Sequence, residues 1–331
     1  MKQGRGLTGR LKRIAKLSAP PSGLLANRAL ELRNLNERAR VKAFSFVRVP
    51  QPKVYGAIGD LEVRMAGNRA DILQAQRLRY EVFYEELSAK PNPVASMRRL
   101  DQDSYDAVCD HLLVVDTSPE PHGRERWAHR RRPRVVGTYR LLRQEIAERT
   151  LGFYSQAEYD IAPLVRAKSP HYRFVELGRS CVLKPYRSKR SVELLWHGLW
   201  TYVREHKVDV MIGCASFEGT DPAAHAMALS YLHHYAMAPV DWRCTAHAPL
   251  HQKMDLIEKD KIDLKQALKA MPPLIKGYLR LGAFVGDGAV IDRQFGTTDV
   301  LVILPVEKID PRYFEHFGAP SELRSRIAVG D

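Results

Sequence analysis

The most suggestive stretch of the chain is a turn, Lys184-Pro-Tyr-Arg187-Ser188-Lys189-Arg190-Ser191, set between an apolar strand pattern and an apolar helix pattern. A turn of this kind exposes backbone N–H groups and the positive end of a helix dipole, which together bind phosphate. Arg187, Lys189 and Arg190 add charge, and Ser188 and Ser191 add hydroxyls. Just upstream, Glu176 interrupts the strand pattern Phe174-Val-Glu-Leu-Gly-Arg-Ser-Cys-Val182. A carboxylate there acts as a general base or sits in a buried ion pair with Arg179. Glu218 holds a comparable place at the end of the next strand. Asp103 and Asp106 are three residues apart, and read either as cation ligands or as solvated loop acids.

These residues need a scaffold, and the periodicity supplies one. Leu61-Glu-Val-Arg alternates as a strand, and Asp71 caps a helix that runs through Tyr80 towards Phe83. Two strands follow, His111–Asp116 and Val135–Leu142. Between them lies an insert rich in arginine (Arg124, Arg126, Arg130, Arg131, Arg132, Arg134), either a solvated hairpin tip or an anion-docking patch. The strand at 174–182 leads through the basic turn into a helix from Ser191 to about Glu205. Val208–Phe217 is a nearly continuous apolar strand of the kind buried on both faces. Asp221 and Pro222 open a further helix. Residues 236–275 read as an insertion of mixed character, and Leu281–Val285 and Asp299–Pro305 close the sheet. Strand, helix, antiparallel strands, then strand–helix–strand give an α/β (α+β) fold. The sheet is mixed and mostly antiparallel, with flanking helices.

Three regions divide the chain: a basic extension over 1–55, a compact domain over 56–318, and a tail over 319–331. Within the extension, Leu7, Leu11, Ile14 and Leu17 share a helical face with Arg10, Lys12, Arg13 and Lys16 around it. That is either a short amphipathic helix for anionic lipid or a mobile basic tail.

Four motifs make a resemblance specific. Arg79-Tyr-Glu-Val-Phe83 is followed in order by Asp103-Ser-Tyr-Asp106, Gly137-Thr-Tyr-Arg140-Leu-Leu and Glu176-Leu-Gly-Arg179. This order and spacing resembles acyl-homoserine lactone synthases, which are GNAT-like and use acyl carrier protein. More of the chain, roughly 57–318, is similar to the bacterial ornithine N-acyltransferases that make lyso-ornithine lipid. The matching stretches include Phe153–Asp160, Glu176–Val182, Tyr186–Arg190, Gly213–Pro222 and Phe295–Val300. The family implies a 3-hydroxyacyl group passed from acyl carrier protein to the α-amine of L-ornithine as an amide.

The residues then acquire expected roles. Acyl transfer from a thioester needs a neutral amine in line with the carbonyl, a base for its proton and a donor for the oxyanion. Glu176 is the first candidate base and Glu218 the second. Asp103, Asp106, Arg79, Arg140 and Arg179 are expected to bind the amine substrate, the two aspartates gripping its ammonium groups. Phe83 is expected in the acyl pocket. The fold implies that backbone N–H groups at 182–184 polarise the carbonyl. Arg187 matches the first position of the GNAT phosphate loop, but Arg190 and Val192 stand where glycines are usual. Losing them favours the single phosphate of carrier-protein phosphopantetheine over coenzyme A. The phosphopantetheine arm would be held by Arg187, Ser188, Lys189, Arg190 and Ser191, with no bound cofactor and no metal.

Other signals are weaker. His111 and Asp116 match a His-x4-Asp acyltransferase pair, but residues five apart in a strand face opposite ways. His225, His233 and His234 lack a third ligand at zinc spacing. Four cysteines (Cys109, Cys181, Cys214, Cys244) show no pairing pattern, which fits a reduced cytoplasmic setting. The 331 residues carry a net charge of +14. Such a field suits a polyanion: acyl carrier protein, the inner face of the membrane, or nucleic acid, for which no motif is present. No apolar run approaches the roughly 18 residues that span a bilayer. Two alternatives remain open: an acyl-homoserine lactone synthase-like enzyme for another amine, and a basic binding module without catalysis.

Overall fold

The computed structural model of the chain describes residues 52–87, 89–118, 133–310 and 313, all within the unit Phe44–Asp331. The amphipathic segment of the first 20 residues, the arginines at 124–132 and the tail at 319–331 lie outside the described residues.

Ten strands form one sheet: β1 (Val54–Ile58), β2 (Leu61–Met65), β3 (Asp110–Asp116), β4 (Arg134–Arg143), β5 (Phe174–Val182), β6 (Val210–Glu218), β7 (His251–Gln252), β8 (Phe284–Val285), β9 (Ala289–Asp292) and β10 (Thr297–Pro305). Their order is β1-β2-β3-β4-β5-β6-β10-β9-β7, with β8 also paired to β10. Among the described residues these strands pair antiparallel with one exception, β5 and β6, which run parallel. The reason is local: a helix long enough for a crossover joins these two strands.

Four helices matter for the site: α1 (Arg69–Tyr80), α2 (Lys189–Glu205, the crossover), α3 (Ala226–Ala236) and α4 (Pro273–Arg280). The cap of α1 is Asn68, not Asp71: its side chain accepts from the N–H groups of Ala70 and Asp71. Asp71 instead pairs with Arg64 and takes the Gly67 N–H. Beyond Tyr80 the helix widens into a π-helical turn, Glu81–Glu86, which carries Phe83. Wide turns of this kind often mark functional sites. Helix α2 packs on β1, β2 and β3, and Gly198 allows the approach, since a Cβ there would meet Val63 at 2.5 Å. Leu112, Leu113, Val114 and Val115 of β3 are fully buried, so the strand is covered on both faces. Each buried apolar side chain of this size contributes roughly 1.5–3 kcal/mol.

Two features at the centre of the sheet create a site. Strands β5 and β6 pair only at Phe174–Val210, Val175–Met211 and Glu176–Ile212, and then fork. At the fork the backbones almost touch: a Cβ on Gly213 would lie 2.3 Å from the carbonyl oxygen of Leu177. Further along, the register between β4 and β5 shifts between Thr138 and Arg140. Arg179 lies in that bulge with φ +51°, a left-handed conformation that a bulge can impose on one residue.

The late segments differ from expectation. Helix α4 occupies most of the space before β8, because Pro273 starts it and Gly282 (φ +90°) ends it. The strand anticipated at 281–285 thus shrinks to two residues, and β9 is an addition. None of the described helices is long and apolar enough to cross a membrane.

Candidate active site

The four motifs meet around a buried set of alternating charges. Arg79, fully buried on α1, faces Asp106 with both terminal nitrogens at 2.8 Å, and its Nε lies 2.7 Å from Asp101. Arg140 of β4 reaches Asp103 at 2.6 Å and Asp106 at 3.3 Å. Arg179 of β5 lies 3.3 Å from Asp101 and 3.4 Å from Asp103. Gln76 and the N–H of Asp103 complete the donors to Asp106. Burial would raise the carboxyls of Asp103 and Asp106, but Arg140 and Arg79 respectively hold them below the usual carboxylate range. Three guanidiniums thus balance three carboxylates.

The five residues expected to bind the amine divide between this network and the cavity. Asp106 and Arg79 are buried and do not line the cavity described below, whereas Asp103, its side chain 26% exposed, faces Arg140 and Arg179. Only Arg140 and Arg179 reach the cavity. Their guanidiniums lie over the Tyr154 ring, 5.5 and 4.8 Å from its centre.

Along the fork runs a cavity of about 540 Å³, with Phe83, Leu177, Tyr278 and Phe295 among its apolar lining. Phe83 meets Phe295 edge to face, 5.7 Å between ring centres. Glu176 lines the cavity from β5 while nearly buried. Its carboxylate accepts from the Tyr154 N–H (2.5 Å), the Ser155 N–H (2.6 Å) and the Ser155 hydroxyl (2.5 Å). The ion pair with Arg179 is therefore not formed. Burial raises the Glu176 pKa, and the bonds from Ser155 and Tyr154 oppose it. Of about four lone-pair directions on a carboxylate, three are filled.

Sequence reading missed a second acidic group in the same cavity. Glu158, Asp292 and Asp299 offer oxygens within 4.8 Å of one another, close enough to hold a cation. Burial, with Asp299 beside it, pushes Glu158 up to about 7. Burial, then the opposing hydroxyls of Thr297 and Ser216 and the charge of Asp292, leave Asp299 at about 6. A signal existed: Asp299 is the acid that opens the apolar run Val300–Leu304, and Glu158 lies within the matched stretch Phe153–Asp160. The thiol of Cys214 links the groups, 3.5 Å from the Ser155 hydroxyl.

The basic turn is only partly free. Arg187 forms a two-pronged pair with Glu86, with its second contact at 2.7 Å, and its Nε donates to the Val182 carbonyl. Its charge is thus already matched. Ser188 caps α2, accepting the Ser191 N–H at 3.3 Å, and Ser191 is buried. Lys189 is exposed and 3.4 Å from Glu193, and Lys184 and Arg190 are exposed too. The Leu183 N–H bonds to the Val136 carbonyl, so it is not available to an oxyanion. Glu218 lines the cavity from the exposed end of β6. His111 bonds to the Asp106 carbonyl, while Asp116 accepts from the Tyr186 hydroxyl. Among the described residues the histidines at 225, 233 and 234 form no group close enough to share an ion. All four cysteines are free thiols.

Residues 78–197 match the acetyltransferase (GNAT) domain family. The chain is 53% identical over 267 residues to the L-ornithine N(alpha)-acyltransferase of Brucella abortus (strain 2308), covering 80% of this chain and 92% of that protein. It is 52% identical over 273 residues to the enzyme of the same name from Rhizobium meliloti (strain 1021), covering 82% and 89%. An N-acyl amino acid synthase from uncultured soil microbes superposes with a TM-score of 0.41 at 9% identity, covering 78% and 93%. With more than half its aligned residues shared with the first of these, the chain is an acyltransferase and belongs to the L-ornithine N(alpha)-acyltransferase family.

Proposed function

We propose that the enzyme moves a 3-hydroxy fatty acyl group from acyl carrier protein to the α-amine of L-ornithine, giving lyso-ornithine lipid. The observation that carries this reading is one cavity lined by Arg140 and Arg179, by the buried carboxylate of Glu176 and by the apolar wall at Phe83. A zwitterionic amino acid needs the first two, and an acyl chain needs the third. In this reading the α-carboxylate of the acceptor faces Arg179, and Glu176 takes the proton from the ammonium. The neutral nitrogen attacks the thioester carbonyl, a C–N bond forms, and the C–S bond breaks. The nitrogen then loses its second proton, which the departing sulfur gains, so that the products are the amide and the phosphopantetheine thiol.

The exposed cations Lys184, Lys189 and Arg190 lie at the start of α2, where a single phosphate would meet both charge and the helix dipole. Arg187, Ser188 and Ser191 support the turn there. The field of a +14 chain suits an acidic carrier protein and an anionic headgroup layer, so we place the enzyme in the cytoplasm, peripheral at the inner membrane face. Chemistry needs neither metal nor bound cofactor in this scheme.

Incubating the protein with 3-hydroxyacyl carrier protein or acyl-coenzyme A, and a panel of amino acids, tests each part by product mass. Amide on the α-nitrogen of ornithine, from the carrier protein, is expected. Turnover with another amine alone removes the acceptor; turnover with coenzyme A alone removes the donor.

A further inference from the structure

We infer that Glu158, Asp292 and Asp299 form a subsite for the side-chain ammonium of the acceptor, and so select a diamino acid over neutral amino acids. This deepens the proposed function and rests on its acceptor being an amino acid. Asp299 is 6% exposed, yet its Oδ1 accepts no hydrogen bond, and neither does Oε2 of Glu158. Both residues line the cavity, together with Asp292 and Thr297. Buried oxygens without donors are costly unless something arrives to satisfy them.

An arriving cation would satisfy them and leave both carboxylates ionised. The arginines of the cavity form no ion pair with the cluster: Arg179 is held by Asp101 and Asp103, and Arg140 by Asp103 and Asp106, so only the more distant charge of Arg179 reaches Asp299. With Arg79 these two balance Asp101, Asp103 and Asp106, and the charges of Glu158, Asp292 and Asp299 are left over. An ammonium has three donors and no acceptor, matching three converging carboxylates; a guanidinium is a flat fork that matches one or two. The placement is also apt. Glu176, Ser155, Cys214 and Glu158 follow one another across the cavity lining, so an amino acid with its α-amine at Glu176 has the acidic cluster on one side of it. The cavity then offers cation, base and anion to the carboxylate, α-amine and side chain of one molecule.

Calorimetry on the full-length protein tests this, with L-ornithine and with L-norvaline, which has the same carbon chain and no side-chain amine. The wild type should bind ornithine at least about 30-fold more tightly, the scale of a buried charge pair. Asp299→Asn and Glu158→Gln should each abolish that preference and leave norvaline binding as it was, with melting curves confirming the fold. A preference that survives in both variants overturns the inference. So does a wild type without preference, or one whose cluster binds Mg2+, Ca2+ or Mn2+ tightly enough to displace ornithine. Ornithine bound with this preference but never acylated leaves the subsite standing and removes the proposed reaction instead.

Discussion

Ser155 donates twice to one oxygen of Glu176, from its backbone N–H at 2.6 Å and from its hydroxyl at 2.5 Å. The backbone bond holds the carboxylate in place, and the hydroxyl bond tunes it by favouring the ionised form. Ser155→Ala deletes only the second. A hydrogen bond to a charged group favours the ionised form, so losing it should raise the Glu176 pKa further. The acid limb of the kcat/KM profile should move to higher pH with its plateau retained. An unmoved limb would assign the proton to another group.

Arg79→Leu should destabilise the protein by about 3–5 kcal/mol, because the buried Asp101 and Asp106 then lose their nearest counter-ion and keep only the longer contacts to Arg179 and Arg140. Urea denaturation measures this directly. A loss below about 1 kcal/mol would mean that water enters to replace the guanidinium, and that the network is less closed than its distances imply.

Arg179 separates strain from chemistry. Its φ of +51° costs an L-residue roughly 1–2 kcal/mol that glycine avoids. Arg179→Gly should therefore be more stable than Arg179→Ala by about 1 kcal/mol, although both lose the same ion pairs. Both should raise KM for the amino acid at least tenfold if the guanidinium meets its carboxylate. Equal stabilities would argue that the bulge relaxes on substitution.

The acidic cluster makes stability depend on pH in an unusual direction. Glu158 and Asp299 have folded-state pKa values of about 7 and about 6, above the ordinary 4.5 and 3.8. The folded state binds their protons more tightly, so this contribution is present in full below about pH 4 and is lost as pH rises through 6 and 7. Asp299→Asn should accordingly raise Tm at pH 8 and not at pH 4, and ornithine should do likewise for the wild type. Scanning calorimetry at the two pH values decides it, with a shift of equal size at both counting against the assignment.

Much of the sheet could be read from the chain because its central strands are covered on both faces. Leu112–Val115 and Val210–Ile212 have no polar side to confuse their pattern. The motif residues Arg79, Asp103, Asp106, Arg140, Glu176 and Arg179 do converge, but their pairing was not legible. Spacing shows that charges are near, not which carboxylate a given guanidinium takes. Glu176 sits three residues from Arg179, yet the bulge turns Arg179 towards Asp101 and Asp103. Glu158, Asp292 and Asp299 were missed for a related reason. They come from a loop, β9 and β10, and nothing local says that these segments meet. The helix start at Asn68 was missed because Asp71, an equally good cap by type, was already engaged by Arg64.

The fork between β5 and β6 leaves part of the catalytic wall beyond the reach of side-chain replacement. After Glu176 and Ile212 no ladder joins the two strands, so the amides and carbonyls of β5 that would have faced β6 border the cavity as a sheet edge in the middle of the fold. Every residue type presents the same backbone there. An alanine scan would report nothing for these groups, however firmly they grip an extended ligand. The parts of the site most tolerant of sequence change are, for the same reason, the least visible to comparison between relatives.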